Sequence, residues 1–73
     1  MSKLPVVSTK EFTKFLIQKG FVYSRTRGSH HVYRILDRLV TVPERKEIGK
    51  GLLLDMISEA GLTREDFIQW WKG

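Results

Sequence analysis

Cysteine is absent from this chain, so neither a disulfide nor a thiolate metal site is available to it. Histidine is scarce too. The two present, His30 and His31, are adjacent, so a structural zinc site would have to be built mostly from carboxylates. No stretch of 18 apolar residues occurs, which excludes a spanning helix, and the opening MSKLPVVSTKEF lacks the apolar centre of a signal peptide. A cytoplasmic protein is the resulting expectation. Repeats, low-complexity tracts and linkers are missing, and the 73 residues read as one domain over 1–73. A domain this small buries only about 60% of the surface its unfolded chain exposes. Its own core therefore supplies about 3–5 kcal/mol.

What is present in excess is positive charge. The formal net charge is +5, from 13 Lys and Arg against 8 Asp and Glu. The excess is uneven: residues 1–51 carry 11 basic and 4 acidic side chains, and residues 52–73 carry 2 basic and 4 acidic. A basic first two-thirds points to a polyanionic partner, nucleic acid before membrane.

The order of elements is legible from patterning. Ser8-Thr9-Lys10-Glu11 is a capping box, and Phe12, Phe15 and Leu16 give the helix behind it one apolar face. Gly20 stands where a helix C-cap is wanted, so the first helix is expected over Thr9–Lys19. Phe21–Thr26 and Ser29–Leu36 read as strands about an Arg27-Gly28 turn. Asp37-Arg38 fits the next hairpin tip, and Leu39–Val42 a third strand stopped by Pro43. The charged stretch from Glu44 to Gly51 reads as a loop. A second helix follows over about Lys50–Ala60 with Leu53, Met56, Ile57 and Ala60 on one face, closed by Gly61. Thr63 caps a short third helix carrying Phe67, Trp70 and Trp71. The simplest packing is α+β: α-β-β-β-α, a three-stranded antiparallel sheet with two helices on one face and a short C-terminal helix appended.

Arg25-Thr26-Arg27-Gly28-Ser29-His30-His31-Val32-Tyr33-Arg34 is the segment with chemical content. Cleaving RNA without a metal requires a proton to leave the 2′-hydroxyl or reach the departing 5′-oxygen, and charge on the phosphorane to be stabilised. Imidazole, with an ordinary pKa of about 6.5, suits the first task, and the planar guanidinium suits the second. Strand alternation separates the two histidines. If Tyr33 and Ile35 face the core, His31 shares their face, and His30 lies opposite with Val32 and Arg34. His30 is then the catalytic candidate and His31 a packing or hydrogen-bonding residue. A one-residue register slip would exchange the roles. Arg27, Arg34 and Lys50, then Lys46 and Arg25, are the candidate phosphate contacts. Gly28 permits close backbone approach, and Ser29 can orient the imidazole or donate to phosphate.

The same pieces resemble the HicA family of toxins over roughly Leu4 to Phe67. The resemblance rests on Leu4-Pro5-Val6-Val7-Ser8, Gly20-Phe21, Arg27-Gly28-Ser29-His30-His31-Val32-Tyr33-Arg34, Val40-Thr41-Val42-Pro43, Lys46-Glu47-Ile48-Gly49-Lys50-Gly51 and Ala60-Gly61-Leu62. It implies a fold similar to double-stranded RNA-binding domains (dsRBD-like), ribosome-independent cleavage of mRNA with no metal or other cofactor, and a catalytic histidine at His30. It also implies a HicB-like antitoxin covering the active face. The chain departs from that family at Glu44-Arg45, where a His or a Ser-Gly pair is common, and at Leu52-Leu53-Leu54, where Thr-Leu-Arg is common. Two other readings compete: a non-catalytic dsRBD-like RNA-binding module, and a protein-interaction module using Phe67, Trp70 and Trp71. On that last helix Trp70 and Trp71 point about 100° apart, so one of them is expected to be partly exposed.

Overall fold

The computed structural model describes residues 3–73, so the first two residues of the expected domain lie outside it. The elements are α1 (Thr9–Gln18), β1 (Val22–Arg27), β2 (His30–Ile35), β3 (Arg38–Pro43), α2 (Lys50–Glu59) and α3 (Arg64–Lys72). The α+β order is therefore the expected one, with boundaries moved by a residue or so.

Helix α1 begins at the capping box. The Ser8 N–H donates to Glu11 Oε1 at 2.9 Å, and the Glu11 N–H donates to Ser8 Oγ at 3.2 Å. It ends with the Phe21 N–H on the Leu16 carbonyl and the Gly20 N–H on the Ile17 carbonyl, a Schellman closure. Helix α2 closes identically, Leu62 N–H to Ile57 and Gly61 N–H to Ser58. Its N-cap, Gly49, offers no side-chain oxygen. The last turn of α2 is also tied to the sheet, where Arg38 Nη1 donates to the Glu59 carbonyl at 3.0 Å.

The three strands form one antiparallel sheet in the order β1-β2-β3. Each connection is two residues long, Gly28-Ser29 and Leu36-Asp37, since Arg27 pairs with His30 and Ile35 with Arg38. The second tip is thus one residue earlier than Asp37-Arg38. Leu36 takes φ 52 there. Left-handed backbone costs a side-chain-bearing residue about 1–2 kcal/mol. Pro43 closes β3 rather than lying beyond it; at the final ladder position its missing N–H costs little.

One face of the sheet receives the helices. Tyr33, Val40 and Val42 share a core with Phe12, Phe15 and Leu16 of α1 and with Leu53, Met56 and Ile57 of α2. Ile48, between β3 and α2, is pinned to the segment before α1 by its N–H on the Val7 carbonyl, and the end of β3 is tied to α1 by Thr9 Oγ1 donating to the Pro43 carbonyl.

Helix α3 is part of this core rather than an appendage. Its Phe67 is fully buried and meets Phe15 edge-on at 4.9 Å between ring centroids. Trp70 also packs against Phe15, at 5.4 Å, while Trp71 remains 40% exposed. Both rings lie against Phe67, at 5.7 and 6.2 Å, so the two tryptophans differ in exposure rather than in the neighbour they share. In so small a core, removing Phe67 is nearly decisive: Phe67→Ala is expected to cost about 3–5 kcal/mol, leaving a population mostly unfolded at neutral pH by urea titration. Trp71→Ala is expected to shift the midpoint far less.

The α3 cap titrates. The Thr63 N–H on the Asp66 carboxylate (2.9 Å) holds that acid below the ordinary aspartate range, aided by the Thr63 hydroxyl and more weakly by Lys19. A lowered folded pKa means that the contribution is present above the unfolded value and disappears as pH falls through the folded one. The stability difference between the parent and Asp66→Asn should therefore be present at pH 7 and shrink progressively as pH falls below the ordinary aspartate range.

Candidate functional site

The sheet face turned away from the helices carries His30 and three of the candidate arginines. The first hairpin determines what stands there. Gly28 has φ +61, the backbone required at the first central position of a two-residue type II′ turn. The turn sets Arg27 directly opposite His30. From there β2 alternates, placing His30, Val32 and Arg34 on the open face and His31, Tyr33 and Ile35 on the helix side. The register-shifted alternative, with His31 on the open face, is not the one found.

Strand β1 does not alternate throughout. The pairing passes from Tyr23–Tyr33 to Arg25–Val32, leaving Ser24 as a β-bulge. Bulges re-aim the side chains beyond them. The consequence is that Tyr23 stays on the helix side, its ring 5.7 Å from that of Tyr33. Arg25 and Arg27 both come to the open face. The bulge thus gathers Arg25, Arg27, His30 and Arg34 around one surface.

Val32, an apolar residue on this open face, is only 6% exposed and lies outside the helix-side core. Its cross-strand neighbours are Arg25 and Thr41. Long basic side chains cover apolar surface with their methylene stems while their heads stay in water. The face therefore combines a small apolar floor at Val32 with arginines at neighbouring strand positions. Further along it, Arg34 lies between Val22 and Leu39, both exposed.

His30 is exposed, and among the described residues its imidazole has no hydrogen-bond partner. His31 differs. It is 26% exposed and bonded at both nitrogens, Nδ1 to Thr26 Oγ1 at 3.0 Å and Nε2 to the Glu44 carboxylate. Thr26 Oγ1 is in turn 2.6 Å from the Tyr23 hydroxyl. The hydrogen-bonding role expected for His31 is thus the one it plays. Its partner Glu44, 13 residues away in sequence, carried no local signal.

The other candidates are dispersed. Ser29 is exposed and its carbonyl accepts from the Glu44 N–H at 2.7 Å. Lys46 lies two residues beyond Glu44, within about 7 Å of it along the chain, on the segment leaving β3. Lys50 opens α2. Both are exposed and neither belongs to a sheet strand, so they border the open face at most.

Among the described residues no group of three or more carboxylates and imidazoles could hold a metal ion, and the surface has no pocket. No helix of the described chain is long and apolar enough to cross a membrane. An open, basic, gently apolar face suits an extended anionic ligand better than a small molecule.

Fold and face together define a small α+β protein with an accessible imidazole among guanidinium groups. The chain belongs to the HicA toxin family: the family model described as "HicA toxin of bacterial toxin-antitoxin" matches residues 9–62. That span covers α1, the whole sheet and α2. A comparison with curated proteins finds no match.

The turn on which the face depends can be tested by itself. A Cβ added at Gly28 would meet nothing within 4 Å, so its cost is conformational alone. Gly28→Ala is expected to lower the unfolding free energy by about 1–2 kcal/mol, read as a lower urea midpoint with an unchanged m-value.

Proposed function

We propose that this HicA-family chain is a metal-independent endoribonuclease that cleaves mRNA without the ribosome, with His30 as its general acid or base and a HicB-like antitoxin as its restraint. The observation that carries the reading is the free, exposed imidazole of His30 on the same open face as Arg25, Arg27 and Arg34. The 2′-oxygen attacks the adjacent phosphorus as its proton leaves. The P–O5′ bond breaks, and the 5′-oxygen departs with a proton. The products are a 2′,3′-cyclic phosphate and a 5′-hydroxyl. His30 takes the first proton or supplies the second.

Arg27 is the cross-strand neighbour of His30 and is best placed to meet the scissile phosphate. Arg34 and Arg25, further along the face, hold flanking phosphates, and Lys46 and Lys50 extend the basic track past the sheet. Ser29 and Gly28 contribute a hydroxyl and an unobstructed backbone at the tip. Val32 and the exposed Val22 and Leu39 offer apolar surface to bases splayed from single-stranded RNA. An antitoxin that masks this face would block the RNA path and the imidazole together.

A second reading, a dsRBD-like module that binds RNA without cutting it, is favoured by one fact. Among the described residues the strands bring no second imidazole and no carboxylate to the face of His30, because His31 belongs to the other side of the sheet. The deciding experiment incubates purified protein with mRNA in EDTA and maps the ends. Cleavage is expected with the parent. His30→Ala is expected to reduce the rate by about 10²–10⁴-fold while a salt-dependent mobility shift persists, and to relieve growth arrest on induction. Intact RNA with a persistent shift in the parent protein would leave the binding module as the function.

A further inference from the structure

Two observations about Glu44 call for a cause. It is an acidic residue beside a surface suited to a polyanion, and its carboxylate is committed to His31 although its side chain is 62% exposed. We propose that Glu44, acting through His31, is a positioning residue: it clamps the Gly28-Ser29 end of the sheet so that the His30 backbone is held fixed while its imidazole stays free. The proposal rests on the nuclease reading given above.

The geometry is specific. The Glu44 N–H donates to the Ser29 carbonyl, one residue before His30, continuing the β2–β3 ladder past the His30–Pro43 pair. The Glu44 carboxylate bonds His31, one residue after His30. His31 then ties β2 to β1 through Thr26, and Thr26 meets Tyr23. His30 is thus held at both sequence neighbours while, among the described residues, its imidazole makes no hydrogen bond, an arrangement that restrains a catalytic side chain without occupying its ring nitrogens. The bond directions are mutually consistent: Tyr23 O–H to Thr26, Thr26 O–H to His31 Nδ1, and His31 Nε2–H to Glu44. Because His31 lies on the helix side of the sheet, the carboxylate is drawn away from the arginines of the open face.

Charge and position predict opposite signs, which makes the proposal testable. Removing an acid near an anionic substrate should by electrostatics alone tighten RNA binding and speed capture. Loosening the clamp should slow the chemical step. Three variants are compared with the parent on a short RNA, with kcat and KM separated: Glu44→Ala, Glu44→Gln, which retains a hydrogen-bond acceptor without the charge, and Glu47→Ala, an exposed acid of the same loop. We expect Glu44→Ala to lower kcat about tenfold, as a catalytic group loses its exact placement, with KM unchanged or reduced. Glu44→Gln should recover most of kcat, and Glu47→Ala should leave kcat at the parent value. A Glu44→Ala protein with undiminished kcat, or an equal loss in all three, overturns the proposal.

Amide exchange across Arg27 to His31 and at position 44, with the ¹⁵N shifts of the His31 ring, is measured on the same proteins and needs no activity. Faster exchange and loss of the Nε2–H signature in Glu44→Ala support the clamp, and no change defeats it. A parent protein that cuts no RNA defeats the nuclease reading, and these spectra still decide whether Glu44 holds the turn.

Discussion

A turn of only two residues cannot change its register without being rebuilt, and the first hairpin depends on that rigidity. With Gly28 in left-handed backbone, Arg27 must face His30, and the partnerships as far as Arg25–Val32 follow before the bulge at Ser24 resets the register. The second hairpin, equally short, carries the constraint into β3, where His30 meets Pro43 and the chain can turn back through Glu44. The open face and the helix face are then settled together. The histidine on one side becomes available and the histidine on the other becomes bound.

The helices support this sheet from one side only and leave the face that carries His30 open. In a chain of this length the interior is a single aromatic and aliphatic cluster, and α3 contributes to it through Phe67 and Trp70. The helix reads as an addition because it follows the α-β-β-β-α unit. Physically it seals the α1 surface that two helices and three strands leave uncovered. With stability of about 3–5 kcal/mol at this size, such a seal belongs to the fold itself.

Local signals were readable in proportion to how local their causes are. The Ser8–Glu11 box, the closures at Gly20 and Gly61 and the Thr63 cap depend on bonds spanning a few residues, and they appear where patterning puts them. The assignment of His30 to the open face followed from strand period alone. The bulge at Ser24 did not, since a bulge arises from the competition between turn register and the Tyr23–Tyr33 pairing, and no single residue announces it. Without it, strict alternation along β1 would have set Arg25 and Arg27 on the Tyr23 side. Glu44 was equally hidden, because its bond to His31 exists only once both hairpins have closed. For Lys46 and Lys50 the sequence offers charge, and charge says nothing about which side of a sheet a residue borders.

That same bulge has an effect on the molecule's behaviour in company. Strand β1 is an outer strand, all six of its residues exposed, with half its backbone groups available to any passing strand. An interrupted ladder that twists at Ser24 and carries two guanidinium groups on its rim is a poor template for another chain to copy. The kink that gathers the arginines on one surface therefore also guards the protein against stacking into ribbons with its own kind, and a variant straightened at this point would lose solubility along with its arginine cluster.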